Sequence, residues 1–197
     1  MAEFPEIFVL RHGQTEWNSV GRHQGRLNSP LTEKGQGQAA VQGDLLTSLL
    51  SGRDEIVAFS SPQERAVETA ALALAPVGLA AKTDERLCEI AFGDWQGLTF
   101  EEIAKRWPEH CKYADQDMFA WNFKAPSGEN YDDVYDRSLD FLISLDKPTV
   151  IVTHGITSYV LRGIWLGLEM HEVSALQGGQ GCVYHLVNGS QSRIAVD

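Results

Sequence analysis

Two short apolar runs, each closed by a histidine and a glycine, most constrain what this chain can fold into. Ile7-Phe8-Val9-Leu10 leads into Arg11-His12-Gly13, and Val150-Ile151-Val152-Thr153 leads into His154-Gly155. Unbroken apolar runs of this length read as strands buried on both faces, the kind that parallel sheets use. Two parallel strands of one sheet bring both histidines to its carboxyl edge, where open α/β folds bind their ligands. Two imidazoles beside a permanent cation suit a tetrahedral dianion, so phosphate transfer is the first chemistry to expect.

The intervening stretches alternate strand and helix. Ile56-Val57-Ala58-Phe59 is a further strand, and residues 183–187 another. Residues 32–50 read as a helix with Val41, Leu45 and Leu49 on one stripe, although Gly35, Gly37 and Gly43 each cost roughly 1 kcal/mol against alanine. Pro62 is placed for the first turn of a helix reaching about Leu74. Thr99 with Glu102 forms a capping box for another. Residues 130–145 put Val134, Phe141, Leu142 and Leu145 on one face. Ile156, Val160, Leu161, Ile164 and Leu168 mark a helix directly after His154. Asn188-Gly189 is a tight hairpin signal. The expected architecture is a three-layer α/β/α sandwich with a mainly parallel central sheet, one domain over residues 1–197. Residues 107–123 look irregular and hold Trp107, Tyr113, Phe119, Trp121 and Phe123; they read as a lid over a pocket or as an excursion docked by its rings.

Charge and composition narrow the partners. The chain has 16 basic against 27 acidic residues, a net charge of −11, which argues against nucleic acid or an anionic membrane as partner. An anionic ligand therefore needs a locally positive pocket. The apolar runs are too short to span a bilayer, and a strand starting near Glu6 leaves no room for a signal peptide. Cys88, Cys111 and Cys182 form no C-x-x-C pair, as expected of reduced thiols in a cytoplasmic protein. Oligomeric state is left open by the sequence.

Candidate chemistry comes from four separated places: Arg11-His12, Arg65, Glu89 and His154. Arg65 follows the second strand within Ser60-Ser61-Pro62-Gln63-Glu64-Arg65. Arginines offer a planar fork of donors matched to phosphate oxygens. A neutral imidazole is a competent nucleophile when one nitrogen is unprotonated and the other is held by an acceptor. A glutamate delivers a proton when burial or neighbouring negative charge keeps it protonated. Metal catalysis would need grouped ligands, but His23, His110, His171 and His185 are isolated, and Asp132-Asp133 fit the first turn of a helix. No Walker-type loop is present. The site is read as free of metal and of cofactor.

Arg11-His12-Gly13, the run from Ser60-Ser61-Pro62 through Arg65 to Thr69-Ala70, Glu89 followed by Phe92-Gly93 and Trp95-Gln96-Gly97, and Thr153-His154-Gly155 resemble the histidine phosphatase superfamily, the phosphoglycerate mutase-like proteins. The resemblance spans residues 6–187 with the motifs in family order. It implies a phosphorylated His12, a phosphoryl clamp of Arg11, Arg65 and His154, and Glu89 as proton donor. Asn18 matches a phosphate contact of the family, Gln24-Gly25 match a segment lining the same pocket, and Gly155 offers a backbone N–H. Arg22, Arg26, Arg86 and Arg162 are read as solvated surface residues.

The implied function is phosphomonoester hydrolysis through a phosphohistidine on a small phosphorylated metabolite. The alternatives are a phosphoglycerate mutase and, in another class, an inactive module that binds a phosphorylated ligand. Mutases of the family carry an arginine directly after the catalytic glutamate. Here that position is Ile90, an apolar wall in place of a cation, which favours hydrolysis. Substrate choice is expected from residues 107–123 and the neighbourhood of Ile90.

Overall fold

In the computed structural model, which describes residues 4–114 and 117–196, both apolar runs are strands. The elements in chain order are β1 (Ile7–Arg11), α1 (Glu16–Ser19), α2 (Glu33–Leu49), β2 (Val57–Ser60), α3 (Glu64–Leu74), β3 (Lys82–Thr83), α4 (Phe100–Arg106), α5 (Pro108–Ala114), α6 (Met118–Trp121), α7 (Tyr131–Ile143), β4 (Thr149–Thr153), α8 (Gly155–Leu166), α9 (Met170–Val173), β5 (Cys182–Val187) and β6 (Ser190–Ala195). They form a six-stranded sheet in the order β3-β2-β4-β1-β5-β6. The first four strands in that order are parallel; β5 runs antiparallel to β1, and β6 antiparallel to β5. The β5–β6 turn is made by Asn188 (φ 50°) and Gly189 (φ 72°), both in the left-handed region that a two-residue hairpin demands.

Successive side chains of a strand point to opposite faces, and the two central strands fill two cores in this way. Ile7, Val9 and Ile151 pack with Phe141 and Leu142 of α7 and with Val160 and Leu161 of α8. Phe8, Leu10, Val150 and Val152 pack with Leu46 of α2 and with Ala66, Ala70 and Ala73 of α3. Helices thus cover both faces of the mainly parallel sheet. Among the described residues no helix is long and apolar enough to cross a membrane.

Helix starts follow their caps. Thr32 accepts from the Gly35 N–H at 3.1 Å, and capping boxes close Thr99 with Glu102 and Asn130 with Asp133. Pro62 lies ahead of the cap of α3, which is Gln63, so it shapes the approach instead of the first turn.

The expected stripe of α2 is corrected. Its buried face is Gly35, Ala39, Gln42, Gly43 and Leu46, while Val41, Leu45 and Leu49 are only half-buried. The cause is close approach. A Cβ on Gly35 would lie 2.1 Å from the Gln14 carbonyl oxygen, and one on Gly43 would lie 3.1 Å from that of Ala73. Two of the three glycines that weaken the helix, Gly35 and Gly43, are part of the surface through which it packs.

The reading of residues 107–123 as irregular is also corrected. The segment is helical in α5 and α6. Asp117 caps α6 by accepting from the Phe119 and Ala120 N–H groups at 2.9 and 3.0 Å. Phe119, Trp121 and Phe123 are buried, and Trp121 stacks on Trp95 with centroids 4.4 Å apart. The rings dock the excursion, and they do not roof a pocket. Asp115, Gln116 and the Tyr113 ring lie outside the described residues.

Candidate active site

The carboxyl ends of β1, β2 and β4 meet at one edge, and the His12 N–H donates to the Thr153 carbonyl at 2.9 Å, extending the β1–β4 ladder by one residue. This bond fixes where the histidine leaves the sheet. Its Nδ1 lies 2.7 Å from the Gly13 carbonyl oxygen. A carbonyl only accepts, so Nδ1 carries the hydrogen and the lone pair is on Nε2. Burial, together with Arg65 and Arg11, holds the imidazole pKa well below the ordinary value, and the ring is neutral at pH 7. Gly13 is required by packing: a Cβ there would lie 2.2 Å from the Gly35 carbonyl oxygen. Its N–H donates to Thr69 Oγ1 at 3.0 Å.

Arg65, in the first turn of α3, is 1% exposed. Its Nη1 donates to the Leu27 carbonyl at 2.7 Å and its Nη2 to that of Gly25 at 2.9 Å. Burial pulls its pKa down to about 10, which leaves it charged at neutrality. His154 caps α8 with its backbone, and its Nε2 pairs with Ser61 Oγ at 2.8 Å. The His12 and His154 rings stand edge-on, centroids 5.1 Å apart. Burial, then Arg65 and His12, keep His154 neutral as well. Arg11 Nε, Arg65 Nε and His154 Nδ1 are buried without a partner in the protein. Buried guanidinium N–H donors left in this way mark a place built for an acceptor-rich ligand.

Glu89, 8% exposed, is held from two sides. Its Oε1 accepts from the Ile90 N–H (3.0 Å), the Thr157 N–H (3.1 Å) and Thr157 Oγ1 (3.2 Å); its Oε2 accepts from the Ile156 N–H alone (3.2 Å). The carboxylate thereby caps the amino end of α8, where His154 makes no side-chain cap. Oε2 is the less committed oxygen. A Cβ on Gly155 would lie 3.4 Å from it and 3.4 Å from Arg11 Cζ, so the glycine leaves the carboxylate and guanidinium uncovered.

The cavity, about 260 Å³, is lined by Arg11, His12, Asn18, Gln24, Gly25, Arg65, Glu89 and Gly155, all anticipated from the sequence. His154 stands behind His12 and is not in the lining. Gly21, Arg22, His23, Phe92, Asn122, Ile156 and Tyr159 complete the wall. Ile90 does not line it; the residue is fully buried in the core below Glu89, so the apolar wall comes from Phe92, Ile156 and Tyr159. Among the described residues of the aromatic-rich segment, Asn122 alone is in the lining.

Two glutamines went unread. Gln63 donates to the Gly25 carbonyl at 2.8 Å and accepts from the Glu89 N–H at 2.8 Å, joining two walls. Gln180 donates to the His12 carbonyl at 2.9 Å and lies 3.4 Å from Asn18 Oδ1. The signal for Gln180 is its setting, Gly178-Gly179-Gln180-Gly181, with φ 151° and 70° at the flanking glycines.

The arginines read as solvated divide. Arg26 pairs with Glu129 and Arg86 with Asp84, both near the surface. Arg22 reaches the pocket wall. Arg162 is fully buried, its guanidinium 3.9 Å above the Tyr184 ring and 4.9 Å from that of Tyr159, with hydrogen bonds to Ser158, Gln177 and Gln191. Aromatic faces and carbonyls supply the stabilisation that water supplies at a surface.

Comparison with known proteins identifies the family. The model of the histidine phosphatase superfamily (branch 1) matches residues 7–196. A glucosyl-3-phosphoglycerate phosphatase of Mycolicibacterium vanbaalenii is 35% identical, over 89% of this chain and 80% of its own. Phosphoserine phosphatase 1 of Hydrogenobacter thermophilus is 31% identical, over 84% and 78%. The structure of a mycobacterial glucosyl-3-phosphoglycerate phosphatase in complex with VO3 superposes with a TM-score of 0.79 at 31% identity, covering 96% of each chain. With a family match running from its first strand to its last, and relatives that are phosphatases, the chain belongs to the histidine phosphatase superfamily.

Proposed function

We propose that this phosphatase hydrolyses phosphomonoesters of small metabolites through a phosphohistidine on His12. The observation that carries the reading is the neutral His12 ring, with Nδ1–H tied to Gly13 and the Nε2 lone pair beside two arginines. Arg11 and Arg65 grip the phosphoryl oxygens, with His154 behind them and Asn18, Gln24 and the Gly155 N–H completing the cradle. His12 Nε2 attacks phosphorus in line. The ester P–O bond breaks, and Glu89 Oε2 gives its proton to the departing alkoxide. Water then attacks the phosphohistidine, the N–P bond breaks, and Glu89 takes the proton back. Positioning and electrostatic stabilisation supply most of the rate.

Because arginine meets the phosphoryl charge, we read the site as independent of metal. A cavity of about 260 Å³ is large enough for a phosphoryl group and a small alcohol part. The absence of any C-x-x-C pair in the sequence supports a cytoplasmic enzyme, and a single six-stranded sheet supports one domain. The test is rapid quenching after mixing with phosphate-labelled substrate. An acid-labile, base-stable label is expected on His12 and absent from His12→Ala; a label on serine, or none in an active sample, refutes the mechanism.

A further inference from the structure

The wall opposite the arginine clamp contains a histidine that the reaction does not use. The backbone of His23 is pinned: its N–H donates to the Leu98 carbonyl at 2.9 Å, and its own carbonyl accepts from the Gly97 N–H at 2.8 Å. Its ring stands edge-on to Phe92 and Trp121, with centroids 5.1 and 5.5 Å away. Nδ1 lies 3.2 Å from the same Leu98 carbonyl oxygen, so it carries the hydrogen. Nε2 is then an acceptor. It makes no hydrogen bond within the described residues, and His23 is among the residues that line the pocket. Burial favours the neutral ring.

The rest of this wall is equally informative. Outside the clamp, Arg22 is the one cation in the lining among the described residues. Its Nη1 donates to the Gly97 carbonyl and to the Glu102 carboxylate, the latter at 3.1 Å, so its charge is already matched. Phe92, Ile156 and Tyr159 are uncharged. A second anionic group on the substrate would find no unpaired cation and would lose hydration without compensation. A hydroxyl would find an acceptor held in place by two rings and a carbonyl.

From this wall we infer that the substrate's alcohol part is uncharged and hydroxylated, of the polyol or sugar class, and that His23 Nε2 accepts one of its hydroxyl hydrogens and sets the preference. The inference rests on the phosphatase reading and refines it. A site built around a hydrogen bond discriminates against the analogue that lacks the group.

Three phosphomonoesters with the same three-carbon chain separate the possibilities: glycerol 3-phosphate, propyl phosphate and 3-phosphoglycerate, with 4-nitrophenyl phosphate as a common reference. In the wild-type protein kcat/KM for glycerol 3-phosphate is expected to exceed those of the other two alkyl phosphates by about tenfold, mostly through KM. In His23→Phe the glycerol-to-propyl ratio falls towards one. In His23→Gln, which keeps a side-chain acceptor, part of it returns. Equal use of glycerol and propyl phosphates by the wild type overturns the inference, as does 3-phosphoglycerate as the best of the three. A ratio unchanged in a folded His23→Phe overturns it too, and if that variant does not fold, the wild-type ratio and His23→Gln decide. Failure to turn over 4-nitrophenyl phosphate overturns the phosphatase reading and this one with it.

Discussion

At the scale of single residues, the reactive form of His12 depends on what surrounds it. An exposed imidazole would be partly protonated near neutrality; burial between Arg65 and Arg11 prevents that, and His154 shares the condition. The folded pKa of each lies below the unfolded value of about 6.5. As pH falls below about 6.5 the unfolded chain takes up protons that the folded chain refuses, so both histidines lower stability there by up to about 1.4 kcal/mol per pH unit each. Above that pH they add no slope. Urea midpoints between pH 7 and 5 are expected to fall less steeply in the His12→Gln/His154→Gln protein than in the wild type. Glu89 gives a second prediction. Glu89→Gln removes the proposed proton donor, so an alkyl phosphate is expected to slow by about a hundredfold or more and a nitrophenyl phosphate far less, since nitrophenolate leaves without protonation. Single-turnover rates on both esters measure this. Arg11, His12, Arg65, Glu89 and His154 were legible in the sequence because they sit in ordered motifs, most of them at strand ends, whereas Arg22 and His23, which also line the pocket, carry no such signal. Gln63 and Gln180 were not, since a neutral amide looks the same whether it faces water or bridges two walls. Arg162 was misread for a related reason: charge predicts exposure unless rings and carbonyls are folded around it.

At the scale of elements, α2 shows what pattern reading misses. Its limits follow from Thr32 and the run of helix formers, and the observed helix keeps them. Its buried face does not follow, because hydrophobic periodicity counts large side chains and this helix docks through small ones. The same substitution at two of its glycines is therefore expected to have opposite signs. Gly37 is exposed with open space around it, and Gly37→Ala should stabilise the protein by roughly 0.5–1 kcal/mol. Gly35 faces the Gln14 backbone, and Gly35→Ala should cost about 1–3 kcal/mol or more as the loop after β1 is forced away. Paired denaturant titrations read both. That loop carries Gly13, so Gly35→Ala should also lower activity while Gly37→Ala does not. The segment holding α5 and α6 teaches the same lesson from the other side. Its rings and polar residues suggested irregularity, but Asp117 caps a short helix whose apolar face finds a partner only in the folded molecule, at Trp95.

Across the whole molecule, a mainly parallel sheet covered on both faces and the edge that gathers the site follow from alternating strands and helices, while the strand order β3-β2-β4-β1-β5-β6 does not. Contacts between distant parts of the chain were the least. Gln180 holds the His12 carbonyl from 168 residues away, so the loop before β5 helps to position the proposed nucleophile just past the end of β1. Gln180→Leu is expected to lower kcat by ten- to a hundredfold on alkyl and aryl esters alike, with the thermal midpoint shifted by only a few degrees. Steady-state kinetics beside a melting curve separates that from general loss of fold. Glu89 works in the opposite direction, from the site into the scaffold. Its carboxylate receives the Ile156 and Thr157 amides at the head of α8, and the far end of that helix reaches Pro5 through the Trp165 indole at 2.9 Å. A proton arriving on Oε2 weakens the pull on those two amides. Their nitrogen and hydrogen resonances in a labelled sample therefore serve as a built-in gauge, moving with each gain or loss of the proton and distinguishing resting enzyme from phosphoenzyme without any added probe.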